Sequence, residues 1–248
     1  MATMVKNNEQ LYWIWLTQTK GIGPVKQHQL LRFYGKPSQI FEALKEQANV
    51  NPTILSLENA KKIQHQCNEK NIKILTLNDE LPQIFSEEPT LPTLLYAKGQ
   101  EIPLKRGWGI VGARRCTSNA KSTAIMLATD AVCHNQYVIS GMAKGIDSYA
   151  HTCTIKENGI TVAVLGNGLD HCYPSEHQTL MEKIHQTGLT ISEYPPGVLP
   201  RTYNFPRRNR IIAALSTCLH VIEPGKSSGT RTTMEAASKY NIPTEIWK

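Results

Sequence analysis

From Gly107 onward, short apolar runs alternate with helical stretches, and this alternation constrains the fold more than any other feature. GWGIVGA (107–113) precedes a helical stretch near Ser118 to His134, and YVISG (137–141) one near Asp147 to Glu157. ITVAVLG (160–166) precedes a stretch near Ser175 to Gln186, and LTISE (189–193) leads through a loop to one near Pro206 to Ser216. CLHVIE (218–223) precedes a stretch near Thr230 to Tyr240, and the chain closes on PTEIW. Near-continuous apolar strands separated by helices predict an α/β fold, with a mostly parallel sheet covered on both faces. Six such units in roughly 140 residues is a Rossmann-like, doubly wound count.

The first 65 residues read differently. Leu11, Ile14, Trp15 and Leu16 have helical spacing, as do Leu30, Leu31, Phe33 and Tyr34, then Ile40, Phe41 and Leu44. Gly21, Gly23 and Pro24, and then Gly35 to Pro37, separate them as turns. A small helical domain over 1–65 follows, with a Lys20-Gly21-Ile22-Gly23-Pro24 turn of helix-hairpin-helix type. Residues 66–104 connect it to a second domain over 105–248. In that connection Ile72 to Leu77 and Leu94 to Tyr96 can form strands, while the prolines of Leu81 to Pro92 exclude a long regular element.

Composition narrows the function classes. Hydrophobic residues make up 40% of the 248 and charged residues 19%, a globular balance. No apolar run approaches the ~20 residues that span a bilayer. MATMVKNNEQ lacks the apolar core of a secretory signal, so a cytoplasmic location is expected. The cysteines are Cys67, Cys116, Cys133, Cys153, Cys172 and Cys218, and no two have CxxC spacing. Reduced thiols are expected, and neither a metal nor a cofactor. Net charge is +7, and it is uneven. Residues 1–104 hold 11 basic and 10 acidic side chains, residues 105–248 hold 16 and 10. Arg201, Arg207, Arg208 and Arg210 lie within ten residues that contain no acid, which points to a polyanionic partner.

Candidate binding residues fall where strands end. Gly109-Ile110-Val111-Gly112-Ala113-Arg114-Arg115 ends the first strand of the α/β region, with Ser118 placed to cap the next helix. A glycine turn before a helix N-terminus suits an anion, and two arginine forks match phosphate geometry. The spacing is not GxGxxG, and Ser140-Gly141 stands where a ribose-binding acid would end the second strand, so a nicotinamide cofactor is not expected. Ser140-Gly141-Met142-Ala143-Lys144-Gly145-Ile146-Asp147 brings Lys144 to the same sheet edge, with Asp147 placed to cap a helix. Asn204-Phe205-Pro206-Arg207-Arg208-Asn209-Arg210 combines guanidinium groups for phosphate with an aromatic face for a base. Ser228, Gly229, Thr230 and Arg231 form a further phosphate-loop candidate, beside Gly112, Ser140, Gly141 and Gly145. Catalytic constellations are weak. The eight histidines form no HExxH, and Glu193 and Glu223 suit capping or ion pairing.

GIVGARRCTSNAK, VISGMAKGIDSYAH, VAVLGNGLDHCYPSEH, LTISEYPPG, FPRRNRIIAALS and SSGTRTTMEAA together resemble the DprA/Smf family of DNA-processing proteins, in order and spacing, over most of residues 72–240. The helical region resembles the sterile-alpha-motif-like or helix-hairpin-helix module that many members carry. The resemblance implies an extended Rossmann fold that binds single-stranded DNA, forms a homodimer, and helps load RecA during natural transformation. It implies no catalysis. It carries Arg114, Lys144, Phe205, Arg207, Asn209 and Arg210 over as DNA-binding positions, with Arg115 and Arg208 beside them. Gly141, Gly145 and Asp147 match as architecture. Two departures stand out. Members usually continue past the last strand, often into a winged helix, and Arg231 replaces an apolar residue of their hydroxyl loop.

The alternative is a nucleotide-binding protein or a phosphoribohydrolase resembling the LOG enzymes of the same superfamily. Those carry PGGxGTxxE. Here Thr233 stands at the glutamate position and Glu235 comes two residues late.

Overall fold

Proline and glycine divide the N-terminal helices, and apolar periodicity sets which face each one buries. The structure, a computed structural model, describes residues 2–46, 55–78, 80–225 and 229–248. The chain forms two units, Met1–Leu95 and Tyr96–Lys248. The division falls inside the segment read as a connection.

The N-terminal unit holds helices α1 (Ala2–Gln18), α2 (Pro24–Tyr34), α3 (Pro37–Lys45) and α4 (Glu58–Glu69), strand β1 (Lys73–Thr76) and the one-turn helix α5 (Ile84–Glu87). Pro24 and Pro37 open their helices, where the missing N–H costs nothing. Trp15 meets Phe41 edge-on at 4.9 Å, beside fully buried Ile14, Leu16 and Ile40. Gln27 is buried but satisfied: it donates to the Ile22 carbonyl and accepts from the Thr93 hydroxyl, both at 2.9 Å. α5 occupies the proline-rich stretch in a single turn, burying Ile84 and Phe85.

The second unit takes over β2 (Leu94–Gly99) and continues β3 (Gly107–Gly112), α6 (Ser118–Cys133), β4 (Val138–Ser140), α7 (Ile146–Lys156), β5 (Thr161–Leu165), α8 (Gln178–Thr187), β6 (Leu189–Ser192), α9 (Asn204–Leu215), β7 (Ser216–Ile222), α10 (Thr230–Lys239) and β8 (Thr244–Trp247). Its sheet runs β2-β6-β5-β4-β3-β7-β8. β2 is antiparallel to β6, and the other pairings are parallel. The chain steps from β3 through β4 and β5 to β6, then returns past β3 to β7. Right-handed crossovers in opposite directions put their helices on opposite faces. α6, α7 and α8 accordingly pack in succession, and α9 packs on α10.

β5 and β6 are buried at every residue, as continuous apolar runs require. Ala120, Ala124, Ala128 and Ala131 on α6 and Ala150 on α7 let these helices close on Ile110, Val138 and Ile222. Burying a side chain such as Ile110 contributes about 1.5–3 kcal/mol. Two capping expectations are corrected. Thr117, not Ser118, caps α6, accepting from the Ala120 amide at 3.2 Å. Asp147 is not the cap of α7; Gly145 holds that position. The helix expected from Ser175 starts as a 3-10 turn, Ser175–His177, before α8. The described cysteines are free thiols. No helix among the described residues is long and apolar enough to cross a membrane.

Candidate functional site

The strand order reverses at β3, whose parallel neighbours are β4 and β7. Loops leaving the carboxyl ends of strands beside such a reversal diverge and open a crevice. Here it measures about 700 Å³, lined from the end of β3 by Gly112, Arg114 and Arg115, from the β4 loop by Ala143, from the start of α7 by Asp147, and from α9 by Phe205, Arg208 and Asn209. A smaller cavity of about 60 Å³ is lined by Arg114, Lys144, Tyr173, Phe205 and Arg208. Residues from four separate sequence blocks meet there.

The β4 loop is held close to β3. Gly145 has φ +76°, and a Cβ there would collide with the Ala113 carbonyl oxygen. The Ile146 amide donates to that carbonyl at 3.2 Å. Only glycine fits, and the fit fixes the loop carrying Lys144 beside the loop carrying Arg114.

Two buried charged side chains, Asp147 and Arg208, stand in the crevice wall, each held by its own partners. Asp147 accepts from the Gly141 amide at 3.1 Å and the Ala143 amide at 3.2 Å, so its carboxylate folds the loop rather than capping the helix. Arg208 donates to the Gly141 carbonyl at 2.7 Å, to the Val164 carbonyl, and to Asn209 Oδ1 at 3.1 Å. Burial pushes the Asp147 carboxyl up, against Arg208, the two amides and Arg114, which favour the carboxylate. Burial likewise lowers Arg208 to about 10, against the pull of Asp147. Arg208 therefore keeps its charge at neutral pH.

The arginine cluster separates by position. Arg207 is exposed, with Glu193 3.8 Å away. Arg210 is bidentate on Glu193, at 2.8 and 2.7 Å. Burial opposes its charge, and Glu193 outweighs burial and holds the guanidinium above its usual value. Arg201 is exposed and donates to the Tyr203 hydroxyl at 2.8 Å. Asn209 ties α9 to α10, donating to the Gly229 carbonyl and Thr232 Oγ1, both at 2.8 Å.

Phe205 is half-buried and stacks on Tyr173 at 5.0 Å and 25°, with the Arg208 guanidinium 6.0 Å from its ring. Tyr173 is 43% exposed and lines both cavities. Sequence reasoning did not single it out as a site residue. Its one signal is the Tyr-Pro pair after a glycine-rich strand end, which says nothing about a partner on α9.

The remaining candidates divide between lining and structure. Lys144 is exposed at the rim, its ammonium 2.5 Å from Glu176, whose carboxyl that bond holds below its usual range. Ser140 is buried and donates to the Ile110 carbonyl at 2.6 Å. Gly229 and Thr230 line the larger crevice; Arg231 points elsewhere, 2.9 Å from Glu235. Ser228 lies outside the described residues. Glu193 serves Arg210, and Glu223 accepts from the Thr117 amide at 2.9 Å. Thr233 lines the crevice at the position where the hydrolases carry glutamate, and Glu235 is exposed and engaged by Arg231.

Known proteins resemble this chain over most of its length. Over 263 aligned residues the chain is 36% identical to Protein Smf of Synechocystis sp., covering 95% of this chain and 63% of that protein. It is 39% identical to DNA processing protein DprA of Streptococcus pneumoniae, covering 65% of this chain and 57% of that protein. It therefore spans about three fifths of the length of these relatives. The X-ray structure of the pneumococcal DprA superposes with a TM-score of 0.78 at 28% identity, covering 95% of this chain and 86% of that one. A DNA processing protein A from Helicobacter pylori, described for its single-stranded DNA binding mode, superposes at 0.62 and 29% identity, covering 70% of this chain and 80% of that one. A sequence model of DNA recombination-mediator protein A matches residues 73–247. That match takes in every strand end and helix start that lines the crevice, and with it this chain belongs to the DprA/Smf family of DNA-processing proteins.

Proposed function

We propose that this chain binds single-stranded DNA at the β3 switch edge, without catalysis, and helps place the RecA recombinase on that DNA as a homodimer in the cytoplasm. The observation that carries the reading is the small cavity where Arg114, Lys144, Phe205 and Tyr173 meet. Cations beside an aromatic face grip a single strand without reading its sequence. Arg114 and Lys144 neutralise phosphates. Arg115 and Arg207, both exposed, continue the positive path. The Tyr173–Phe205 stack receives a base. Arg208, Asn209 and Arg210 act as positioning residues, holding α9 so that Phe205 faces the cavity. Gly112, Gly141, Gly145, Gly229 and Thr230 shape the walls that the backbone approaches. Support comes from the Helicobacter pylori neighbour, a single-stranded DNA binder, and from the recombination-mediator family. The RecA and dimer assignments, and a role in natural transformation, rest on family membership.

The test is fluorescence anisotropy with a labelled single-stranded oligonucleotide and its duplex, at two salt concentrations, on wild type and Lys144→Ala. Single-strand preference, salt sensitivity and a weaker variant are expected. No binding at low salt overturns the reading.

The size of the larger crevice favours one second reading. About 700 Å³ falls within the range of small-molecule sites, so a free nucleotide is its alternative occupant. Binding of nucleoside monophosphates, with no affinity for oligonucleotides, would identify that case.

A further inference from the structure

The outer strands of the second unit carry a cluster that DNA binding does not use. Cys218 and His220 are two residues apart on β7, so their side chains leave the same face. Glu245 on β8 is in register with His220. One sulfur, one imidazole nitrogen and one carboxylate oxygen from these residues all lie within 4.8 Å of one another.

His220 is only 4% exposed, yet neither of its ring nitrogens makes a hydrogen bond. Glu245 Oε2 lies 3.2 Å from His220 Nδ1, a close contact without hydrogen-bond geometry. A buried imidazole in that condition costs stability unless something else engages it. Zinc–nitrogen and zinc–oxygen bonds of about 2.0 Å at a tetrahedral angle put the two donors roughly 3.3 Å apart. The His220–Glu245 spacing matches that edge, and the Cys218 sulfur, within 4.8 Å of both, closes toward the sulfur–nitrogen edge of about 3.5 Å when the ion binds.

We infer that Cys218, His220 and Glu245 form a binding site for a borderline-soft divalent cation, with zinc as the best-matched ion. Thiolate and imidazole select against magnesium and calcium, which take oxygen donors. All three ligands stand on paired strands, so the site needs no loop to order. Glu245 is 56% exposed, and its side opens the fourth position to water. Bound there, the cation cross-links edge strand β8 to β7. Trp108 and Trp247 flank the imidazole, with ring centroids 5.0 and 6.3 Å away, and report on occupancy.

The experiment titrates the full chain with cobalt(II), a spectroscopic substitute for zinc. One equivalent is expected to raise a thiolate-to-cobalt charge-transfer band and quench tryptophan emission, and zinc is expected to abolish the band. Cys218→Ser should remove the band. Glu245→Gln, at an exposed position and therefore harmless to folding, should weaken binding more than about tenfold, since even outer-shell partners cost 10–100-fold. Cys133→Ser, which removes an exposed thiol elsewhere, should leave the band intact. Zinc should also slow amide exchange across residues 244–247. No band in wild type, a band that survives Cys218→Ser, or wild-type affinity in Glu245→Gln would each overturn the site.

Discussion

Arg208 and Asp147 converge on the Cα of Gly141. A Cβ at that glycine would lie 2.8 Å from Arg208 Nη2 and 2.9 Å from Asp147 Oδ2. The pair needs the gap that glycine leaves, and the pair in turn sets the wall from which Phe205 and Lys144 project. Gly141→Ala should therefore destabilise the fold by about 1–3 kcal/mol through overpacking, read as a lower urea midpoint. Asp147→Asn should cost about 1–3 kcal/mol, because it replaces a buried carboxylate that accepts from two amides and removes the charge that favours Arg208. A variant as stable as wild type would show that the backbone carbonyls suffice for Arg208.

Arg210 and Arg114 should behave oppositely. Arg210→Ala leaves Glu193, 7% exposed, without its bidentate partner and should cost about 3–5 kcal/mol of stability. Arg114 is exposed, so Arg114→Ala should change stability by less than about 0.5 kcal/mol. Its effect belongs to binding. Single-strand affinity should fall for all sequences alike, and the salt slope should shrink by about 0.7 for each phosphate that is no longer neutralised. Denaturation midpoints and anisotropy at several salt concentrations separate the two.

The Tyr173–Phe205 stack makes a coupled prediction. Phe205→Ala should weaken single-strand binding by about 1–3 kcal/mol, the worth of one stacked base. Tyr173→Ala should produce part of the same loss, and the double variant less than the sum, because both rings serve one position. Additive losses would mean that the two rings contact different bases.

Acid should unfold this protein through a histidine that is not in the crevice. His151 is fully buried, its Nδ1 2.6 Å from Thr161 Oγ1, and burial lowers it to about 3 from 6.5. The folded value is depressed, so the unfolded chain takes up the proton first. The stability from keeping His151 neutral is whole above pH 6.5 and is lost as pH falls toward 3. The slope is about 1.4 kcal/mol per pH unit. His185, lowered to about 4 by burial, adds in the same direction. Urea midpoints between pH 7 and 5 should fall less steeply in His151→Gln, by one proton's worth.

Much of the site was legible because its chemistry is local. Arg114, Lys144 and Phe205 each follow a strand end or open a helix, and those boundaries are written in apolar runs and glycines. The fates of Arg207, Arg208 and Arg210 were not legible. They share a residue type and a helix, but successive residues point about 100° apart around a 3.6-residue turn. One faces solvent, one the sheet, and one Glu193 at the end of β6. Tyr173 was not legible either, since its partner lies 32 positions away on α9.

Hydrophobic period, turn residues and motif order reside in neighbouring residues, so the amino-acid string alone set the α/β class, the order of strands and helices, and the sheet edge that carries the candidate site. Which cations face the crevice and which are spent inside depends on burial and on partners brought together from distant segments. Desolvation acts only once those segments pack: it turned Arg208 and Arg210 inward, left Arg114 and Lys144 at the rim, and set Cys218, His220 and Glu245 side by side on two strands.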